Sequence, residues 1–110
     1  MMKFYKLLYS MELRPKMILL SKDLDVLYVF ITGYISGSEE SDDAPLQIME
    51  KFYKFLLEKY SLIGNSMWWF GVINNLEKDR EVAFDKFYQL FNEFLVETTG
   101  RNLEENANLE

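Results

Sequence analysis

The stretch DREVAFDKFYQLFNEFLVETTG, residues 79–100, decides the fold. Asp79 is a favoured N-cap type, because its carboxylate accepts from the unpaired N–H groups that open a helix. Phe84, Phe87, Tyr88, Phe91, Phe94 and Leu95 follow at steps of three and four residues, which gathers them on one helical face. Gly100 supplies the stop. A helix with so aromatic a face is stable only against partners, and the rest of the chain offers them in the same period.

Upstream, four more helices can be drawn, and no strand alternation competes with them. The first covers about Lys3 to Met11, with Phe4, Leu7, Leu8 and Met11 at i, i+3, i+4, i+7. Arg14-Pro15 ends it, since the residue before proline is pushed out of the α region. Met17 to Leu20 is too short to classify and reads as a buried connector. The second helix is expected after Ser21 as N-cap, with Asp23 and Asp25 near the positive end of its dipole. Leu24, Leu27, Tyr28, Ile31, Tyr34 and Ile35 form one face, while Val26, Val29 and Phe30 make it apolar on the other side too. An all-round apolar helix belongs at the centre of a fold. Gly33 inside it, at a cost of about 1 kcal/mol, suggests that another backbone packs close there. Gly37 ends it.

The third helix has Pro45 in its first turn and a stripe of Leu46, Met49, Phe52, Tyr53, Leu56 and Tyr60. Gly64-Asn65-Ser66 closes it and caps a short fourth helix holding Met67, Trp68, Trp69, Phe70, Val72 and Ile73. The fold expected is all-α, a compact bundle of about five helices forming one domain over residues 1–100. Residues 101–110, poor in apolar side chains and holding three glutamates, read as a frayed acidic tail.

Composition narrows the function. The chain of 110 residues has no histidine and no cysteine, and it is 49% hydrophobic and 16% aromatic, ample for a core. Without imidazole or thiolate, the commonest acid–base, nucleophilic and zinc chemistries lack their groups. The five glycines never reach phosphate-loop spacing. Glu81 and Asp85, at i, i+4 on the last helix, stand at metal-ligand spacing, but a solvated outer face is the better explanation of them. The sequence therefore points to no enzyme, no metal and no cofactor. No secretory signal is read in the start, whose apolar residues are interrupted before Glu12 and Arg14, and the absence of disulfides fits a cytoplasmic protein.

Charge is uneven. Residues 1–22 carry Lys3, Lys6, Arg14, Lys16 and Lys22 against Glu12, a local +4, while the remainder carries seven positive and seventeen negative side chains, a local −10. That balance disfavours nucleic acid, which demands clustered Lys and Arg. It favours a basic protein partner. Glu39, Glu40, Asp42 and Asp43 concentrate the acidity between the second and third helices and lack the alternating ligands and central glycine of a calcium loop. Trp68 and Trp69 point about 100° apart if helical, so one belongs to the core and the other to its edge. The basic amphipathic start around Lys3 and Lys6 is short and reads as a packed helix rather than a membrane anchor.

One order of residues goes beyond generic helices. Arg14-Pro15-Lys16-Met17 leads through Leu24, Leu27 and Phe30 to Gly33-Tyr34. An acidic insertion follows, then Phe52, Phe55 and Tyr60, then Trp68-Trp69, and finally Ala83-Phe84-x-x-Phe87-Tyr88-x-Leu90. Over residues 5–96 this resembles the small α-helical immunity proteins of bacterial contact-dependent growth inhibition and related polymorphic toxin systems. Their sequences often show Arg-Pro-x-Met-Tyr-Leu-Gly, then Phe-x-x-Gly-Tyr, a mid-chain Trp and a late Phe-Phe or Phe-Tyr. This chain departs at Ile18-Leu19-Leu20, where the pattern has Tyr-Leu-Gly.

The resemblance implies a non-enzymatic inhibitor that binds the C-terminal domain of a cognate toxin, often a nuclease, and blocks its active site or an essential surface. It transfers no binding residues. The acidic cluster Glu39, Glu40, Asp42 and Asp43 is the expected dock for basic toxin residues, with Tyr34 and one of Trp68 or Trp69 as apolar anchors. The competing reading is a small helical adaptor or regulatory subunit for a cellular protein, which an exposed apolar groove would favour.

Overall fold

The computed structural model describes residues 3–37, 44–62 and 67–110. Seven helices lie among them: α1 (Phe4–Leu13), α2 (Pro15–Ile18), α3 (Leu24–Ser36), α4 (Ala44–Lys59), α5 (Trp69–Leu76), α6 (Arg80–Thr99) and α7 (Leu103–Leu109). No strand occurs among the described residues, so the all-α expectation holds. Two short helices, α2 and α7, raise the expected count of about five.

α6 forms as its sequence dictates. Asp79 accepts from the N–H groups of Glu81 and Val82, both at 3.0 Å. Gly100, at φ +79°, ends the helix in the left-handed conformation that glycine adopts without strain. Its buried residues include Phe84, Phe87, Tyr88, Phe91, Phe94 and Leu95, and it packs against α3, α4, α5 and α7. Fully burying one such ring contributes about 1.5–3 kcal/mol. From α4, Phe52 enters the middle of this face, with ring centroids 5.6 Å from Phe87, 5.1 Å from Phe91 and 5.6 Å from Phe94. Trp69 of α5 closes on the same cluster, 5.1 Å from Phe87 and 5.4 Å from Tyr28 of α3.

The centre of the fold is therefore α6 and not the second predicted helix. α3 buries Leu24, Leu27 and Ile31 against its neighbours but turns Val26 and Val29 to solvent. Its N-cap is Asp23 and not Ser21, with the carboxylate accepting from Asp25 N–H at 2.7 Å and Val26 N–H at 3.4 Å. Gly33 has no close neighbour: a Cβ there would meet nothing within 4 Å, so no backbone packs against it.

Met17 to Leu20 is not a buried connector. Arg14 leaves the helical region, Pro15 restarts a turn at N1, and that turn closes when Leu19 N–H donates to the Pro15 carbonyl at 2.7 Å. Only Leu19 of the four points inward. The expected frayed tail is likewise corrected. Asn102 and Glu105 form a capping box, each side chain accepting from the other's backbone N–H at 2.9 Å. Leu103 and Ala107 are buried, and α7 packs along α1. The three glutamates of this segment are all used: Glu105 in the box, Glu104 on the Tyr9 hydroxyl at 2.9 Å, and Glu110 on the N–H groups of Tyr5 and Lys6 that open α1.

Candidate partner-binding surfaces

Glu39, Glu40, Asp42 and Asp43 lie outside the described residues, as does the Gly64-Asn65-Ser66 turn. The other expected contact residues are placed on different supports. Tyr34, near the end of α3, is half-buried and stacks on Phe4 of α1 at 5.5 Å. Trp69 is fully buried in the aromatic core, which removes it as an anchor. Trp68 is half-buried at the entrance to α5, its ring edge-on to Tyr53 of α4 at 5.2 Å. One tryptophan thus lies inside and one at the edge, as expected, but Trp68 is the residue that precedes α5 and not a helical one, so the 100° offset is not the cause.

Two acidic recesses occur among the described residues. Between α4 and α6, Phe55 floors a groove walled by Glu58, Lys59, Glu93 and Glu97. Lys59 pairs with Glu93 at 3.1 Å. The hydrogen bond and charge of Glu93 raise the ammonium pKa, Glu97 adding to it. Three carboxylates against one ammonium leave the groove negative, with a half-buried aromatic ring at its base. Glu93 and Glu97 share the i, i+4 spacing of Glu81 and Asp85 on the aromatic helix, a signal in the sequence that was passed over.

A second recess, between α1 and the α6–α7 region, is lined by Tyr9, Glu12, Leu13, Asn92, Asn102 and Glu104. Burial, then the charges of Asp85 and Glu104, push the Glu12 carboxyl pKa up. Asp85 is itself paired with Lys22 at 3.0 Å, and Glu81 sits exposed in the first turn of α6. No group of three His, Cys, Asp or Glu side chains positioned to hold a metal ion occurs among the described residues. None of their helices is long and apolar enough to cross a membrane.

The third surface is apolar. Ile18, Leu19 and Leu20 on one side and Val26, Val29 and Phe30 of α3 on the other line an open trough of about 400 Å³. Leu20 is 86% exposed, Met17 75% and Val29 68%. Leu20 also sits at φ +67°, in the left-handed region that ordinary L side chains avoid. Sequence reading missed this surface because it assigned Met17 to Leu20 and α3 to the interior.

Comparison of the chain with protein-family models, with curated proteins and with solved structures gives no match.

Proposed function

We propose that the chain is an immunity protein, a non-enzymatic inhibitor that binds the C-terminal domain of a cognate bacterial toxin, a basic nuclease, in stoichiometric complex. The observation that carries this reading is the backbone at Leu20. The immunity-protein pattern has glycine at this position, seven residues into the Arg-Pro segment, and φ here is +67°. Glycine is the residue that adopts such a φ freely. Leu20 thus holds a conformation that glycine would favour at the position where the pattern has glycine, which supports the likeness at the point where the sequences part.

Charge supports the same reading. The groove of Glu58, Glu93 and Glu97 over Phe55 suits a lysine or arginine side chain, with the cation over the ring and carboxylates beside it. The Glu39, Glu40, Asp42 and Asp43 cluster adds to the field that draws a basic partner in. A nuclease is basic where it meets its anionic substrate, so an acidic inhibitor competes for the same face.

Growth rescue tests the proposal. The C-terminal domain encoded immediately upstream in the native locus is expressed with and without this chain, and viable counts are recorded. Toxicity relieved by the chain, and less well by a variant with the four acids changed to alanine or by Glu93→Lys with Glu97→Lys, is the expected result. Toxicity that the chain leaves untouched refutes this pairing.

A further inference from the structure

We propose that α1 and α7 form one hinged flap, latched by Glu110, that opens as a unit while α3 to α6 stay folded. Each helix supplies what the other lacks. α1 starts without a cap of its own, since Lys3 at the N-cap position offers no side-chain acceptor. Glu110 provides it from the other end of the chain, its carboxylate accepting from Lys6 N–H at 2.8 Å and Tyr5 N–H at 3.2 Å. α7, of seven residues, is too short to stay helical alone. The helix it packs along most extensively is α1.

Both helices join the body at a break. Arg14, at φ −137° and ψ 59°, ends α1, and Gly100, at φ +79°, ends α6 ahead of α7. A hinge needs a few such residues at element ends to absorb a rotation. The body, for its part, closes without the flap. Phe52, Trp69, Phe87, Phe91 and Phe94 make their ring contacts with residues of α3 to α6 alone, among the described residues. The flap is held down by its buried Leu8, Met11, Leu103 and Ala107 and by side chains of α6. The Tyr88 hydroxyl donates to the Leu8 carbonyl at 2.7 Å, and the Asn92 side-chain carbonyl accepts from Leu103 N–H at 2.7 Å. Tyr88 and Asn92 stand one turn apart, so one stretch of α6 secures both halves of the flap.

The seam also carries an opposing force. Glu12 of α1 is half-buried, and burial, then the charges of Asp85 and Glu104, raise its pKa. Glu104 of α7 is fixed by the Tyr9 hydroxyl at 2.9 Å, while no cation pairs with Glu12 among the described residues. The seam is pulled shut at Glu110 and pushed apart at Glu12. The groove of Glu58, Glu93 and Glu97 lies between α4 and α6 and keeps both walls when the flap opens. The device is therefore independent of the toxin proposal.

Native-state hydrogen exchange of the full chain in low urea at pH 7 is the test. Amides of residues 7–13 and 103–109 are expected to share one opening constant. Its urea dependence is expected to be smaller than that of residues 87–94 in α6, because the open form keeps the aromatic cluster buried. Glu110→Ala should raise the shared constant about fivefold, the effect of a lost cap. Glu12→Gln should lower it, by the same factor in both helices. Circular dichroism checks each variant, and the parent chain decides by itself if either fails to fold. The proposal is overturned if the two helices open with different constants, or with the urea dependence of α6. It is equally overturned if Glu110→Ala quickens only the first turn of α1, or if Glu12→Gln leaves the constant unchanged or raises it.

Discussion

Replacing Leu20 with glycine isolates the cost of holding an ordinary side chain at φ +67°. At 86% exposure the side chain contributes almost no burial, so little is lost by deleting it. Leaving the left-handed penalty behind gains about 1–2 kcal/mol. Glycine also widens the unfolded ensemble, which takes back roughly 0.4–1 kcal/mol. The balance runs from about zero to about 1.6 kcal/mol of stabilisation, and its middle, about 0.8 kcal/mol, raises Tm by roughly 2–6 °C for a chain of this size. Thermal and urea unfolding followed by circular dichroism measure it, with Leu20→Ala as control. Alanine retains Cβ and hence the strain, and is expected to stay within about 0.5 kcal/mol of the parent. If glycine and alanine prove equal, or glycine is the less stable, the strain argument fails.

Three further outcomes test the packing and electrostatics. Phe52→Ala removes the ring around which Phe87, Phe91 and Phe94 close and should cost about 3–5 kcal/mol in urea unfolding; under about 2 would mean the cluster repacks without it. Asn102→Ala deletes the capping box of α7 and should cost about 1 kcal/mol, with faster amide exchange over residues 103–109; unchanged exchange would mean that the burial of Leu103 and Ala107 and the contacts of Glu104 and Glu110 with α1 hold the helix without its cap. Glu12 has its folded pKa raised by burial and by Asp85 and Glu104, so its ionised form disfavours the fold. Glu12→Gln should therefore match the parent below the ordinary carboxyl range, near pH 4, and become the more stable as pH rises through it. A gain confined to acidic pH would contradict that sign.

Of the binding surfaces, sequence reading reached part of one. It separated Trp68 from Trp69 because helical geometry forbids two adjacent side chains from sharing a buried face. The acidic groove joins Glu58 of α4 to Glu93 and Glu97 of α6, and that juxtaposition is a tertiary fact. The apolar trough was hidden for the opposite reason. Val26, Val29, Met17 and Leu20 are apolar, and apolarity by itself predicts burial. Nothing in composition separates a hydrophobic residue that finds a partner within the chain from one that does not.

The sequence by itself determined the helices with strong local signals. Asp79 and Gly100 bound α6, the steps between Phe84 and Leu95 set its face, and Pro45 with Met49, Phe52 and Leu56 did the same for α4. These depend on contacts within a turn or two of chain, where period and capping chemistry are written residue by residue. The tertiary structure alone decided which helix is central, since α3 and α6 are both rich in apolar residues and only the neighbours reveal whether both sides are covered. It decided that residues 101–110 fold, because Glu104 and Glu110 find Tyr9 and the N-terminus of α1 across nearly the whole length of the chain. It also decided that Leu20 stands in water. Local free energies select a helix; whether its surface is core, rim or open face depends on what other segments bring to it.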